Sequence, residues 1–209
     1  MSVTVDFSPV TALPDASLSG DAGPVNAALV ERGLTGLVEA AAWLRDQPYG
    51  HNLAEGPLTL FDEGVGTCVT KHAAFVTAAQ ELGVDVALVW GTYPLTDDVV
   101  TGVGAVLERH RLPFVPTIHC FLRHGDARVD LTEGNCNGKN VQITEYLRVD
   151  EVAVGTDEGP HRRTVVDALC AEHPDFAGAT PDQVASALAD CAPAITTACR
   201  LASEVARSG

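Results

Sequence analysis

Apolar residues recur at intervals of three and four along several segments of the chain, which is the spacing of one helical face. This spacing predicts two helices within 24–46, a helix over 68–82 that stops at Gly83, and helices over 162–172 and 181–206. The first twenty-odd residues, which are rich in Pro, Gly, Ser and Asp, are predicted to form a short strand followed by coil.

Shorter apolar runs between these helices predict strands. The segment 84–90 is mostly apolar, and 117–123 and 127–132 flank a Gly125-Asp126 turn. A further helix is expected over 97–111. Helices flanking a small sheet predict one α+β domain that spans residues 1–209.

Composition and charge restrict the partners of this domain. The 209 residues include 28 Asp and Glu against 13 Lys and Arg, giving a net charge of −15. Such a chain repels phosphate backbones and anionic membrane surfaces, so we expect neither nucleic acid nor membrane as partner. The start lacks a signal-peptide pattern, and the six cysteines form no CxxC pair, so we expect a cytoplasmic protein.

The chemistry of the chain points to Cys68, which follows the glycine-rich stretch 64–67 and begins a predicted helix. A thiolate there gains from the free backbone N–H groups and the positive end of the helix dipole, which lower the pKa of a cysteine. Lys71, three residues on, shares that helical face and adds positive charge.

A histidine and an aspartate follow on the two predicted hairpin strands. If Gly125-Asp126 is the turn, His119 lies diagonal to Asp130, and if the turn slips by one residue they lie opposite each other. In both registers the two side chains share one face of the sheet. An Asp-His-Cys arrangement orients an imidazole and activates a thiol, so Cys68, His119 and Asp130 are the predicted catalytic residues.

In this ordered set the chain resembles the transglutaminase-like superfamily of papain-like Cys-His-Asp enzymes. The segment 66–75 (GTCVTKHAAF) is similar to the family's nucleophile segment, 119–122 (HCFL) to its histidine strand, and 129–132 (VDLT) to its aspartate strand. The chain departs from the family in having Asp-Leu-Thr where Asp-Pro-Thr is common.

The resemblance implies a papain-like fold, with the nucleophile helix packed on a small antiparallel sheet and extra flanking helices. The catalytic core would cover about 48–133, and a helical C-terminal part about 150–207. The implied activity is acyl transfer from an amide or peptide carbonyl through a thioester, ending in hydrolysis or transfer. The substrate would be a small molecule or peptide, no cofactor or metal is required, and the oligomeric state is open.

The transition state also needs hydrogen-bond donors for its oxyanion. The Cys68 N–H would supply one. Asn52 is the first candidate for the second, with Tyr49, His51 and Trp90 as alternatives.

The only two lysines, Lys71 and Lys139, flank the proposed site in sequence and are predicted to hold a substrate carboxylate at the cleft mouth. Ordinary surface lysines are the alternative.

Two other functions stay open at this point. The fold can be retained by a non-catalytic module that binds a small molecule or peptide, which thiol reactivity would distinguish from an enzyme. A zinc hydrolase is the second, with Cys68, His119 and Cys136 as ligands, although no closely spaced ligand pair supports it.

Overall fold

The protein is a mixed α+β structure with small antiparallel sheets. The structure, a computed structural model, describes residues 2–132 and 137–208, with the backbone alone at 202–208. The helices are α1 (Pro24–Val30), α2 (Leu37–Asp46), α3 (Thr59–Glu63), α4 (Cys68–Glu81), α5 (Gly104–His110), α6 (Glu158–Glu172) and α7 (Pro181–Ser208). The strands are β1 (Val3–Thr4), β2 (Ala87–Leu95), β3 (Val115–His124), β4 (Ala127–Val129), β5 (Glu145–Tyr146) and β6 (Arg148–Val152).

The larger sheet has four antiparallel strands in the order β4-β3-β2-β6. Strands β3 and β4 form the predicted hairpin, with the register Leu122↔Val129 and a turn at Gly125 and Asp126. Continued past the end of β4, this register puts His119 diagonal to Asp130. The smaller sheet pairs β1 with β5.

Apolar clusters fill both sides of the large sheet. One packs α1, α2 and α4 against residues such as Leu88 and Leu122, and the other packs α5, α7 and neighbouring strands against residues such as Val89 and Phe121. Helix α4 is buried along most of its length because small alanines let it approach α1, α2 and β3 closely. The start of α4 is thereby held at a fixed place beside the sheet.

Three elements differ from the sequence expectations. Strand β2 runs on to Leu95 through Gly91 and Pro94, and β6 occupies the start of the segment expected to be helical from about 150. Helix α5 begins only at Gly104, not near Asp97. The Asp97 carboxylate accepts hydrogen bonds from the N–H groups of Gly102 and Gly104, which holds 97–103 in turns.

Helix α7 is the longest helix of the described residues and contains Pro193. No helix in ranges 2–132 and 137–208 combines the length and apolar character that crossing a membrane would require.

Candidate active site

Cys68 is the first residue of α4, as its position after a glycine-rich loop predicted. The Thr67 side chain caps the helix by accepting from the Thr70 N–H at 3.4 Å. A Cβ at Gly66 would lie 2.7 Å from the end of the fully buried Leu60 side chain, so a larger residue here would have to push that side chain aside. The thiol therefore stands at a helix N-terminus, where backbone N–H groups are free to bind negative charge.

His119 and Asp130 form a buried pair beside this thiol. The Nε2 atom of His119 lies 2.7 Å from Oδ2 of Asp130, and both residues are buried. The other carboxylate oxygen, Oδ1, accepts from the N–H and hydroxyl of Thr132 at 2.8 and 2.7 Å. The imidazole is thereby fixed with Nδ1 as its remaining nitrogen.

The thiol and the imidazole shift each other's pKa. Hydrogen bonding from the Cys120 thiol, followed by the hydrogen bond and charge of His119, lowers the pKa of Cys68 well below its usual range, despite burial. Burial acts to lower the pKa of His119, but the Asp130 carboxylate and the Cys68 thiol raise it to about 9. Nδ1 of His119 has no hydrogen-bond partner of ordinary geometry among the described residues, so its interaction with the Cys68 sulfur is longer or less well aligned than an ordinary hydrogen bond. The favoured state is a thiolate-imidazolium ion pair.

A second histidine, which sequence reasoning missed, joins the nucleophile helix to the aspartate segment. Nδ1 of His72 lies 2.6 Å from the carbonyl oxygen of Cys68, and Nε2 accepts the Leu131 N–H at 2.8 Å. The ring therefore carries its proton on Nδ1 and is neutral, and burial lowers its pKa. The sequence signal that could have identified His72 is its position four residues after Cys68, one helical turn along the same face.

Tyr49 is the upstream residue that meets the nucleophile. A backbone bridge to Gly66 fixes it beside the loop before Cys68. Burial, together with the charge and hydrogen bonding of Cys68, raises the pKa of the Tyr49 hydroxyl well above its ordinary value. A protonated hydroxyl in that place is a hydrogen-bond donor next to the sulfur.

Asn52, the first candidate for that donor, is committed elsewhere. Its amide nitrogen donates to the Val65 carbonyl at 2.8 Å and to Glu63 at 3.2 Å, while its oxygen accepts from the Thr70 hydroxyl at 2.7 Å. Both amide hydrogens are used in holding the loop, so the prediction that Asn52 binds the oxyanion is wrong.

Lys71 does not face the cleft. Its side chain is fully buried, and its ammonium group donates to the carbonyls of Arg45, at 2.9 Å, and Gln47 at the end of α2. A lysine here satisfies the last carbonyls of a helix, and burial lowers its pKa to about 8. The prediction that Lys71 holds a substrate is therefore wrong.

Lys139 and Trp90 do line a cavity of about 1080 Å³ that reaches Cys68. The Lys139 ammonium lies 5.5 Å from the centre of the Tyr49 ring. Trp90 forms part of the wall and packs edge-on against His161, with its indole nitrogen buried and unpaired among the described residues. The structure thus brings these two predicted residues to the same cavity as the nucleophile.

Helix α7 closes one side of this cavity. Its Cys199 thiol donates to the Asn137 carbonyl at 3.4 Å, and a Cβ at Gly138 would come within 2.6 Å of the Cys199 backbone nitrogen. Gly138 has a φ of +79° as well, so both conformation and contact require glycine there. The C-terminal part of the chain therefore contributes to the site.

The described residues contain no group of three or more His, Cys, Asp or Glu side chains arranged to hold a metal ion. Cys136, the third ligand of the zinc alternative, lies outside the described residues. Comparisons with protein-family models, with curated proteins and with solved structures found no match to this chain.

Proposed function

We propose that this chain is a cysteine-dependent acyl-transfer enzyme that acts on an amide or peptide carbonyl. The observation that carries the proposal is the place of His119, whose Nε2 is bonded to Asp130 at 2.7 Å and whose ring lies near enough to Cys68 for each group to shift the pKa of the other. A thiol, an imidazole and a carboxylate in this order supply a nucleophile, a general acid-base and an orienting group.

The fold supports the same proposal. A helix that begins at the nucleophile packs on an antiparallel sheet whose adjacent strands lead to the histidine and the aspartate. This order is that of the transglutaminase-like resemblance, and we propose a papain-like core on that basis.

In the first half-reaction the Cys68 thiolate attacks the carbonyl carbon, and the C=O electron pair moves onto oxygen. The Cys68 N–H and the Tyr49 hydroxyl donate hydrogen bonds to this oxyanion. As the C–N bond breaks, His119 gives its Nδ1 proton to the departing amine. The products are a free amine and a Cys68 thioester.

In the second half-reaction water or an amine attacks the thioester carbonyl. His119 takes a proton from the attacking group on Nδ1, and the C–S bond breaks to return the Cys68 thiolate. Asp130 remains ionised throughout, because the charge and hydrogen bond of His119 hold its pKa low against the effect of burial. Whether water or an amine reaches the thioester decides between hydrolysis and transfer.

Alkylation by iodoacetamide, followed by mass spectrometry for each cysteine, tests the ion pair without a known substrate. The Cys68 rate should stay nearly constant from about pH 6 to pH 8, because the thiolate is already formed, while an ordinary thiol of pKa about 8.5 gains about 100-fold over that range. Cys170, which is half-buried and has a raised pKa, is the internal control.

A Cys68 rate that climbs with pH as steeply as that of Cys170 would contradict the proposal. Once an amide substrate is found, Cys68→Ala should abolish turnover.

A further inference from the structure

The two lysines of the chain have different environments, and this difference bears on the substrate. The buried Lys71 ammonium group donates hydrogen bonds to the backbone carbonyls of Arg45 and Gln47. Lys139 is only half-buried, lines the cavity, and forms no salt bridge within ranges 2–132 and 137–208. The cavity's other strong cation, Arg162, is already paired with Glu158 at 2.9 Å and donates to the Pro116 carbonyl.

The backbone that carries Lys139 is held in place. Its N–H donates to the Asn137 side chain at 3.1 Å, and that side chain in turn donates to the Thr132 carbonyl at 3.1 Å. Gly138 packs directly on the backbone of α7. The ammonium group lies on the side of the cavity where Tyr49 and Cys68 are, 5.5 Å from the centre of the Tyr49 ring.

We propose that Lys139 binds a carboxylate of the substrate, so that the enzyme acts on amides with a free carboxylate close to the reacting carbonyl. This inference rests on the proposed acyl-transfer function. In a chain of net charge −15 a substrate carboxylate meets few cations. Among the described residues that line the cavity, Lys139 is the strong cation without a salt bridge.

The charge around the cavity favours a single carboxylate over a polyanion. Glu55, Asp157 and Glu158 also line it, and Asp157 and Glu158 are engaged with the Gly159 N–H and with Arg162. A phosphate or dicarboxylate would meet repulsion from these groups that a lone carboxylate beside Lys139 largely avoids.

Two alkylating reagents of nearly equal size test this charge preference. Iodoacetate carries a carboxylate and iodoacetamide is neutral, and both alkylate the Cys68 sulfur. Both rates are proportional to the fraction of Cys68 that is thiolate, so this fraction cancels in their ratio. The ratio therefore reports how the charges around Cys68 act on the carboxylate of the reagent. In Lys139→Met the iodoacetate-to-iodoacetamide ratio should fall about 3- to 10-fold at low salt, and the difference should shrink at high salt.

Two variants serve as controls. Lys139→Arg keeps the charge and should keep the ratio. Arg128→Met removes one positive charge at the hairpin end, outside the cavity, and should leave the ratio unchanged. An unchanged ratio in Lys139→Met, or an equal fall in Arg128→Met, would overturn the proposal. Failure of the acyl-transfer function would show instead in the pH profile of iodoacetamide alone.

A binding measurement gives a second readout that is independent of thiol chemistry. Glutaramate, the monoamide of glutaric acid with a single carboxylate, should raise the melting temperature of Cys68→Ala, whereas neutral glutaramide at the same ionic strength should not. The double variant Cys68→Ala, Lys139→Met should lose the glutaramate effect. Equal shifts with both compounds, or none with either, would contradict carboxylate binding at Lys139.

Discussion

Strand β3 and helix α4 each place a buried histidine against the same carboxylate, yet the two rings differ in charge. His119 lies 2.7 Å from one oxygen of Asp130, and His72 lies 3.6 Å from the other. Burial opposes protonation of both rings, but the pKa of His119 is raised to about 9 while that of His72 is lowered.

Hydrogen-bond partners explain this difference. Nε2 of His72 already accepts the Leu131 N–H, and its Nδ1 faces the Cys68 carbonyl, so the neutral ring is satisfied. Nε2 of His119 faces only the carboxylate, which stabilises a proton there. The shared carboxylate therefore meets one histidine whose raised pKa favours the charged form and one neutral histidine that joins two segments.

The same substitution at the two histidines should separate these functions most strongly. His119→Asn removes the imidazolium, and the iodoacetamide rate of Cys68 at pH 6 should fall about 100-fold, because well under about 1% of an ordinary thiol is ionised there. His72→Asn should retain most of the rate, since His72 carries no charge to lose. Equal losses in both variants would contradict the assignment of the charge to His119.

The sequence predicted where Cys68, His119 and Asp130 lie in the fold, because each position depends on local patterns. Helical spacing placed Cys68 at the start of α4, and the Gly125-Asp126 turn gave the hairpin register that brings His119 to Asp130. The edge strand β6 was missed because its residues are mostly polar and half-exposed, without the apolar run that reveals a buried strand.

The contacts that individual side chains make were harder to predict than the helices and strands. Lys71 occupies the helical face expected of it, but the end of α2 packs there and captures its ammonium group. Asn52 was chosen for its amide, and the neighbouring loop uses both of the amide hydrogens. These outcomes depend on contacts between segments far apart in sequence, which no local pattern contains.

The joining function of His72 should appear in stability. His72→Asn can still offer an amide hydrogen to the Cys68 carbonyl, but it leaves the buried Leu131 N–H without an acceptor. We expect a loss of about 1–3 kcal/mol in the free energy of unfolding, measured by urea denaturation. His72→Gln, whose longer side chain can reach the Leu131 N–H, should lose less. If the Gln variant were the less stable, the Leu131 bond would not be the one that matters.

The charge on His119 should also appear in the pH dependence of stability. The raised pKa of His119 means that the folded state binds the extra proton, so its contribution is full below about pH 6.5 and is lost as the pH rises through about 9. The lowered pKa of Cys68 has the opposite slope, because its contribution is complete above about pH 8.5 and is lost as the pH falls.

Between about pH 6.5 and pH 8.5 these slopes should cancel in the unmodified protein, since folding only moves one proton from the thiol to the imidazole. Cys68→Ala removes the contribution of the thiol and leaves that of His119. Its free energy of unfolding should then fall by up to about 1.4 kcal/mol per pH unit across that window, while the unmodified protein stays nearly flat. Urea denaturation at three pH values measures both slopes. A Cys68→Ala curve as flat as the original would mean that Asp130 alone does not hold the extra proton on His119, so that the charge difference between the two histidines depends on the Cys68 thiolate.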